Sequence, residues 1–281
     1  MIASVSKTKE ILSKYELQAK KRFGQNFLID SNIVKKIVDT SNVNENTIVI
    51  EIGPGIGAMT ELLAEKAKKV ICFEIDKDMV EIITNEVIGK GIKNVEVKEM
   101  DFLKVDLKDY DLTSDRVIVV SNLPYYITTP IIFKLLGEDV VSEIYVMVQD
   151  EVARRLVGMP GTKDYGSLSV MINFLSHAKF EFKVGRNCFL PAPNVDSAIV
   201  SIKRKKNDYN LKNEGNFLKF IQDIFEMRRK TLINNLLKKI SISRDEIESK
   251  FIENDFDINV RSESLSLDQI VKLYRVLGLD K

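Results

Sequence analysis

Thr47-Ile48-Val49-Ile50-Glu51-Ile52-Gly53-Pro54-Gly55-Ile56-Gly57 is the stretch from which the fold can be read. A short, β-branched run that is apolar on both faces predicts a buried strand. The glycines behind it remove Cβ atoms, so the backbone can turn tightly and approach a ligand closely. Apolar residues three and four apart over 58–68 then predict a helix. Strand, glycine loop and helix in that order open an alternating β/α chain.

The alternation continues downstream. Residues 70–75, 95–97, 117–120 and 144–148 read as further buried strands, and 78–90 as a helix with Asp78 as its N-cap. Such alternation implies a parallel sheet covered on both faces. Residues 180–184 and 197–203 alternate apolar and polar side chains, and they read as an antiparallel pair at the end of the sheet. The expected fold class is therefore α/β, a Rossmann-like domain of seven strands. After the charged connector Lys203-Arg204-Lys205-Lys206 no strand-like run remains. Residues 217–239, 245–254 and 267–278 carry helical periodicity, so a domain of residues 1–206 should be followed by a small all-helical domain, 207–281.

Composition narrows the function. The 281 residues carry a net charge of +1, but the charge is uneven. Residues 1–36 sum to +5 and residues 203–239 to +7, which leaves −11 for the remainder. Two basic zones around an acidic centre fit an enzyme that meets a polyanion at its edges. Two distant cysteines and a single histidine argue against a metal site or a Ser-His-Asp triad. No signal peptide or membrane span is evident, so a cytoplasmic location and no membrane partner are expected.

Glu74 ends the second strand twenty-one residues after Gly53, where a carboxylate can accept from ribose hydroxyls. Gly53 and Gly55 suit a nicotinamide dinucleotide as well as S-adenosylmethionine. Glu51 and Asp101, carboxylates at two other strand ends, favour the second, because they would repel a pyrophosphate and suit a cationic cofactor. Asp101 is further placed to accept from the adenine amine of the cofactor. The fourth strand runs into Ser121-Asn122-Leu123-Pro124-Tyr125-Tyr126. There the Asn122 side-chain oxygen and a carbonyl of Leu123 or Pro124 can accept hydrogen bonds from an exocyclic amine, and Tyr125 can stack on a flat ring.

With that loop behind a glycine loop, the chain resembles the ribosomal small-subunit RNA adenine N6-dimethyltransferases of the KsgA/RsmA type. The resemblance extends to Lys21-Arg22-Phe23-Gly24-Gln25-Asn26-Phe27-Leu28, Asn122 to Pro130, Phe189-Leu190-Pro191-Ala192-Pro193-Asn194-Val195-Asp196-Ser197, and Phe225-Glu226-Met227-Arg228-Arg229-Lys230-Thr231-Leu232, all in the family's order. It implies a cytoplasmic enzyme that uses S-adenosylmethionine to dimethylate two adjacent adenosines in the loop of the 3′-terminal helix of 16S rRNA. Its partner would be the immature small subunit, and a monomer is expected. Cofactor contacts are implied at Asn26, Leu28, Gly53, Gly55, Glu74, Asp101 and Asn122. The catalytic loop would comprise Asn122, Leu123, Pro124 and Tyr125, with Phe189 facing Tyr125 across the target base. Phosphate contacts are implied at Lys21, Arg22, Lys203, Arg204, Arg228, Arg229 and Lys230. One departure is visible. Ile233-Asn234-Asn235 stands where the family's motif leads one to expect another basic residue.

Overall fold

The computed structural model describes residues 1–17, 25–206 and 208–281. Its strands are β1 (Phe27–Leu28), β2 (Thr47–Ile52), β3 (Lys69–Glu74), β4 (Val95–Glu99), β5 (Arg116–Asn122), β6 (Glu143–Gln149), β7 (Ser176–Val184), β8 (Phe189–Leu190) and β9 (Ser197–Arg204). Its helices are α1 (Val5–Lys14), α2 (Ser31–Thr40), α3 (Thr60–Lys66), α4 (Lys77–Glu86), α5 (Thr128–Leu136), α6 (Asp150–Leu156), α7 (Ser167–Leu175), α8 (Glu214–Ile224), α9 (Leu232–Leu236), α10 (Arg244–Glu253) and α11 (Leu267–Val276). None is long and apolar enough to cross a membrane among the described residues.

Seven strands form one sheet in the order β4-β3-β2-β5-β6-β9-β7. The steps from β4 through to β6 are parallel, and β9 runs antiparallel to β6 with Ser197 opposite Gln149. The two-residue strands β1 and β8 form a separate antiparallel ladder. Every residue of β2 is buried, as are Val117 to Ser121 and Ile144 to Val148. Such double-sided burial explains why these strands read as continuous apolar runs. From β2 the chain steps outward to β3 and β4, then returns to β5 on the other side of β2. That reversal opens a crevice at the carboxyl ends of β2 and β5.

Several boundaries differ from the sequence expectation. The N-cap of α4 is Asp76, whose carboxylate accepts from the Asp78 amide at 3.2 Å. Strand β7 begins at Ser176, four residues before its expected start, so it contains His177. The single helix expected over 217–239 is two, and Arg228 to Lys230 lie in the turn between α8 and α9. In addition, α1 forms in a segment that reads as polar, capped by Ser4 and burying Thr8 and Ile11.

The chain divides into two compact units, one of residues 1–153 with 179–204, the other of residues 154–178 with 205–281. The single cut expected after residue 206 is therefore replaced by a discontinuous division. The reason lies in α7, which is apolar nearly all round: its Phe174 ring packs 5.0 Å from Phe217 of α8 and 6.0 Å from Tyr209. A helix with that composition needs an apolar partner on every side, and the late helices supply one.

Candidate active site

A cavity of about 260 Å³ sits at the carboxyl ends of β2, β3 and β5. The glycine loop builds its floor. Gly53, Gly55 and Gly57 all have positive φ, at 65°, 58° and 86°. At Gly57 a Cβ would come within 2.8 Å of Val87 Cγ2, so close packing as well as conformation demands glycine there. The Ser121 hydroxyl donates to the Ile52 carbonyl and ties β5 to β2 just beneath the loop.

Glu74 is 7 % exposed, and its carboxylate gathers three backbone donors. Its Oε2 accepts from the Gly55 amide at 3.3 Å, and Oε1 accepts from Ile75 and Asp76 at 2.8 and 2.9 Å. Burial pushes its pKa up while these amides hold it down. A carboxylate has about four acceptor positions, so acceptor capacity remains for hydroxyls entering the cavity. Glu51 is 1 % exposed and accepts from the Thr60 hydroxyl at 2.7 Å, with the Cys72 thiol at 3.8 Å. Burial pushes its carboxyl up to about 8. Asp101 lines the far wall, with Oδ1 accepting from the Leu103 amide at 3.0 Å.

The amine loop closes the opposite side. Asn122 ends β5, and its Nδ2 donates to the Asn26 carbonyl at 3.4 Å. A carbonyl can only accept, so this bond fixes the amide orientation and leaves Oδ1 as the acceptor. The Pro124 carbonyl already accepts from the Ile127 amide at 3.2 Å and the Thr128 hydroxyl at 3.1 Å. Of the two carbonyls the sequence left open, that of Leu123 is therefore the better second acceptor. The Tyr125 hydroxyl lies 2.8 Å from Ser197 Oγ, which anchors the ring at the start of β9. Burial pushes its phenol upward, so it stays protonated.

Every residue named in the sequence analysis for the cofactor, and Asn122 to Tyr125 of the amine loop, line this one cavity. Phe189 does not. It pairs opposite Leu28 in the β1·β8 ladder and is 3 % exposed, so its ring is buried in the hydrophobic core. Ile75 and Tyr126, which the sequence did not single out, line the cavity and stay 48 % and 59 % exposed. An apolar residue directly after a strand-end carboxylate was the available signal for Ile75. Phe27 also contributes, its ring 3.4 Å from where a Cβ of Gly55 would stand.

The basic residues fare unevenly. Lys21 and Arg22 lie outside the described residues. Lys203 pairs with Glu143 at 3.1 Å and Arg204 with Asp139 at 2.6 Å. Arg228 donates to the Lys163 and Tyr165 carbonyls at 3.1 and 3.2 Å and lies 3.7 Å from Glu263, so it holds the second unit together. Arg229 and Lys230 are exposed.

The ribosomal RNA adenine dimethylase family model matches residues 16–277. Over 286 residues the chain is 43 % identical to "Ribosomal RNA small subunit methyltransferase A" of Geobacillus sp. (strain WCH70), covering 98 % of this chain and 97 % of the relative. Over 282 residues it is 40 % identical to the protein of the same name from Clostridioides difficile (strain 630), covering 99 % and 97 %. Among solved structures, a dimethyladenosine transferase from Plasmodium falciparum superposes with a TM-score of 0.76 at 26 % identity, covering 90 % of this chain and 98 % of that one. The 23S rRNA methyltransferase ErmE superposes at 0.65 with 27 % identity, covering 90 % and 100 %.

Proposed function

This chain belongs to the ribosomal RNA adenine dimethylase family, and from that premise we propose that it dimethylates the N6 amines of two adjacent adenosines in the loop of the 3′-terminal helix of 16S rRNA. S-adenosylmethionine is the methyl donor, and the substrate is the immature small subunit in the cytoplasm, met by a monomer. One observation carries the reading. The cavity presents the carboxylates of Glu74 and Asp101 and no Lys or Arg among its described lining, beside the protonated Glu51 carboxyl and an amide whose Nδ2 is tied to the Asn26 carbonyl. Such walls repel a phosphate-bearing dinucleotide and suit a cofactor that carries positive charge.

When bound, the cofactor supplies an electrophilic sulfonium methyl group. Glu74 would hold its ribose and Asp101 its adenine amine, with the exposed Ile75 and Met100 against the ring. Asn122 Oδ1 and the Leu123 carbonyl accept the two hydrogens of the target N6 amine. They draw its lone pair out of conjugation and aim it at the methyl. The protonated Tyr125 stacks on the target base after that base has left its helix. Positioning and fixed dipoles do the work, and the excess proton of the product leaves to solvent. Lys21, Arg22, Lys203, Arg204, Arg229 and Lys230 are assigned to phosphates, Arg228 to holding the turn that presents the last two. Phe189 would serve as the second stacking face only if the β1·β8 ladder shifts on RNA binding.

The test is single-turnover methylation of small-subunit particles from cells that lack this activity, at saturating cofactor. Asn122→Ala should bind the particle near the parent level yet lose two or more orders of magnitude in rate, because a preorganised partner at a reacting centre is worth about 2.7–4 kcal/mol. Transfer at the parent rate would reject the role of Asn122. The full-length likeness to ErmE favours one second reading, a large-subunit target, and locating the modified adenines by mass spectrometry separates the two.

A further inference from the structure

The carboxyl ends of the strands continue past the amine loop. Beside β5 stands β6, ending at Gln149, and beside β6 stands β9, starting at Ser197, the hydroxyl partner of Tyr125. A crevice opens there between the end of β6 and the loop that precedes β9, with Gln149, Asp150, Arg186, Asn194, Val195 and Asp196 among its walls. It has a volume of about 430 Å³ and is more open to solvent than the cofactor cavity. Its floor is stapled. The Asp150 amide donates to the Asp196 carbonyl at 3.0 Å, and the Asp196 carboxylate accepts from the Arg186 amide at 3.0 Å and pairs with Lys183 at 2.8 Å.

The chemistry of the walls selects the guest. Asp150, Glu151 and Asp196 outnumber the cations and disfavour a phosphate. Gln149 and the exposed Asn194 offer carboxamides, and Val195, 45 % exposed, offers an apolar face for a flat ring. A carboxamide matches the N6 and N7 positions of adenine with two hydrogen bonds. Tyr125 lines the cofactor cavity and its hydroxyl meets Ser197, the residue directly after Asp196 of the crevice wall, so the crevice adjoins the place where a base would stack on Tyr125.

We propose that this crevice is a second base subsite, which receives the nucleotide adjacent to the adenosine being methylated and reads its exocyclic amine, chiefly through Asn194. The subsite rests on the adenosine reading above. It makes the enzyme a reader of pairs, since each target adenosine is presented while its neighbour is held.

Reconstituted small-subunit particles with one target adenosine, whose neighbour is either adenosine or purine riboside, test this by single-turnover methylation. The two differ only in the amine. The parent protein should prefer the adenosine neighbour by roughly 5- to 100-fold, the range a bidentate base contact supplies. Asn194→Ala should abolish the preference, methylating the two particles at equal rates. Asn194→Asp, which keeps the amine acceptor but repels N7, should retain part of it. Calorimetric cofactor affinity equal to the parent's establishes that the variants are folded. No preference in the parent, or an undiminished one in Asn194→Ala, overturns the subsite. A parent that methylates neither particle overturns the adenosine reading, and the subsite with it.

Discussion

Glu51 is a carboxyl with a hydroxyl and a thiol for company and no cation in contact among the described residues, buried where two strands meet the cavity. In the folded chain it titrates near 8, against an ordinary 4.5. Between those values the native state keeps a proton that the unfolded chain has released, so the carboxyl subtracts stability as pH rises through that window. Glu51→Gln removes the titration. It should melt with the parent near pH 5 and above it near pH 9; parallel melting curves at both pH values would contradict the burial argument. Glu74 is the converse, a buried carboxylate held by three amides. In Glu74→Gln an NH₂ must face either Gly55 or the Ile75–Asp76 pair, donor against donor. Calorimetry should show S-adenosylmethionine binding about 10- to 100-fold weaker, because ribose hydroxyls lose hydrogen bonds to a charged acceptor, worth roughly 1.5–3 kcal/mol. Unchanged affinity would remove Glu74 from the site.

At the scale of the element, the glycine loop joins fold and chemistry. Gly57→Ala meets both a positive φ and the Val87 methyl, and should cost about 2 kcal/mol or more, a fall of roughly 4–8 °C in Tm. Gly91→Ala is the control: its φ is 97° but a Cβ there meets nothing within 4 Å, so its thermal shift should be clearly smaller. Equal shifts in the two would mean that crowding at Val87 adds nothing. These elements also mark what the sequence reveals. The central strands were legible because burial on both faces leaves an unbroken apolar signature, and the places of Glu74 and Asn122 in the cavity wall because strand ends at a switch point border the crevice. Helix α1 was not, since its burial rests on Thr8 and Ile11 within a polar segment. The break between α8 and α9 was missed because Arg228 to Lys230 keep helical spacing while their neighbours pack as a turn. Phe189 was misplaced for another reason: a motif gives a residue's neighbours in sequence, and its burial depends on β1, which lies 160 residues earlier.

For the whole molecule, contact with RNA should be dominated by exposed charge. Arg229 and Lys230 present their charges outward, whereas Arg228 serves the second unit's own carbonyls. The double variant Arg229→Ala/Lys230→Ala should therefore lower the log–log salt slope of particle binding by about 1.4–1.8, at roughly 0.7–0.9 per phosphate contact, with single-turnover chemistry intact. A slope equal to the parent's would make them solvated bystanders. The interrupted second unit has a further consequence, for synthesis and for engineering. Residues 154–178 leave the ribosome well before residues 205–281, yet Phe174 belongs to the same core as Phe217. That core waits for the tail of the chain, so a protein truncated shortly after residue 204 would display an orphaned apolar helix and invite chaperones and proteases. A chimera meant to exchange recognition units between relatives needs three crossovers, near residues 153, 178 and 204; a single splice after β9 would leave half of one core facing half of another.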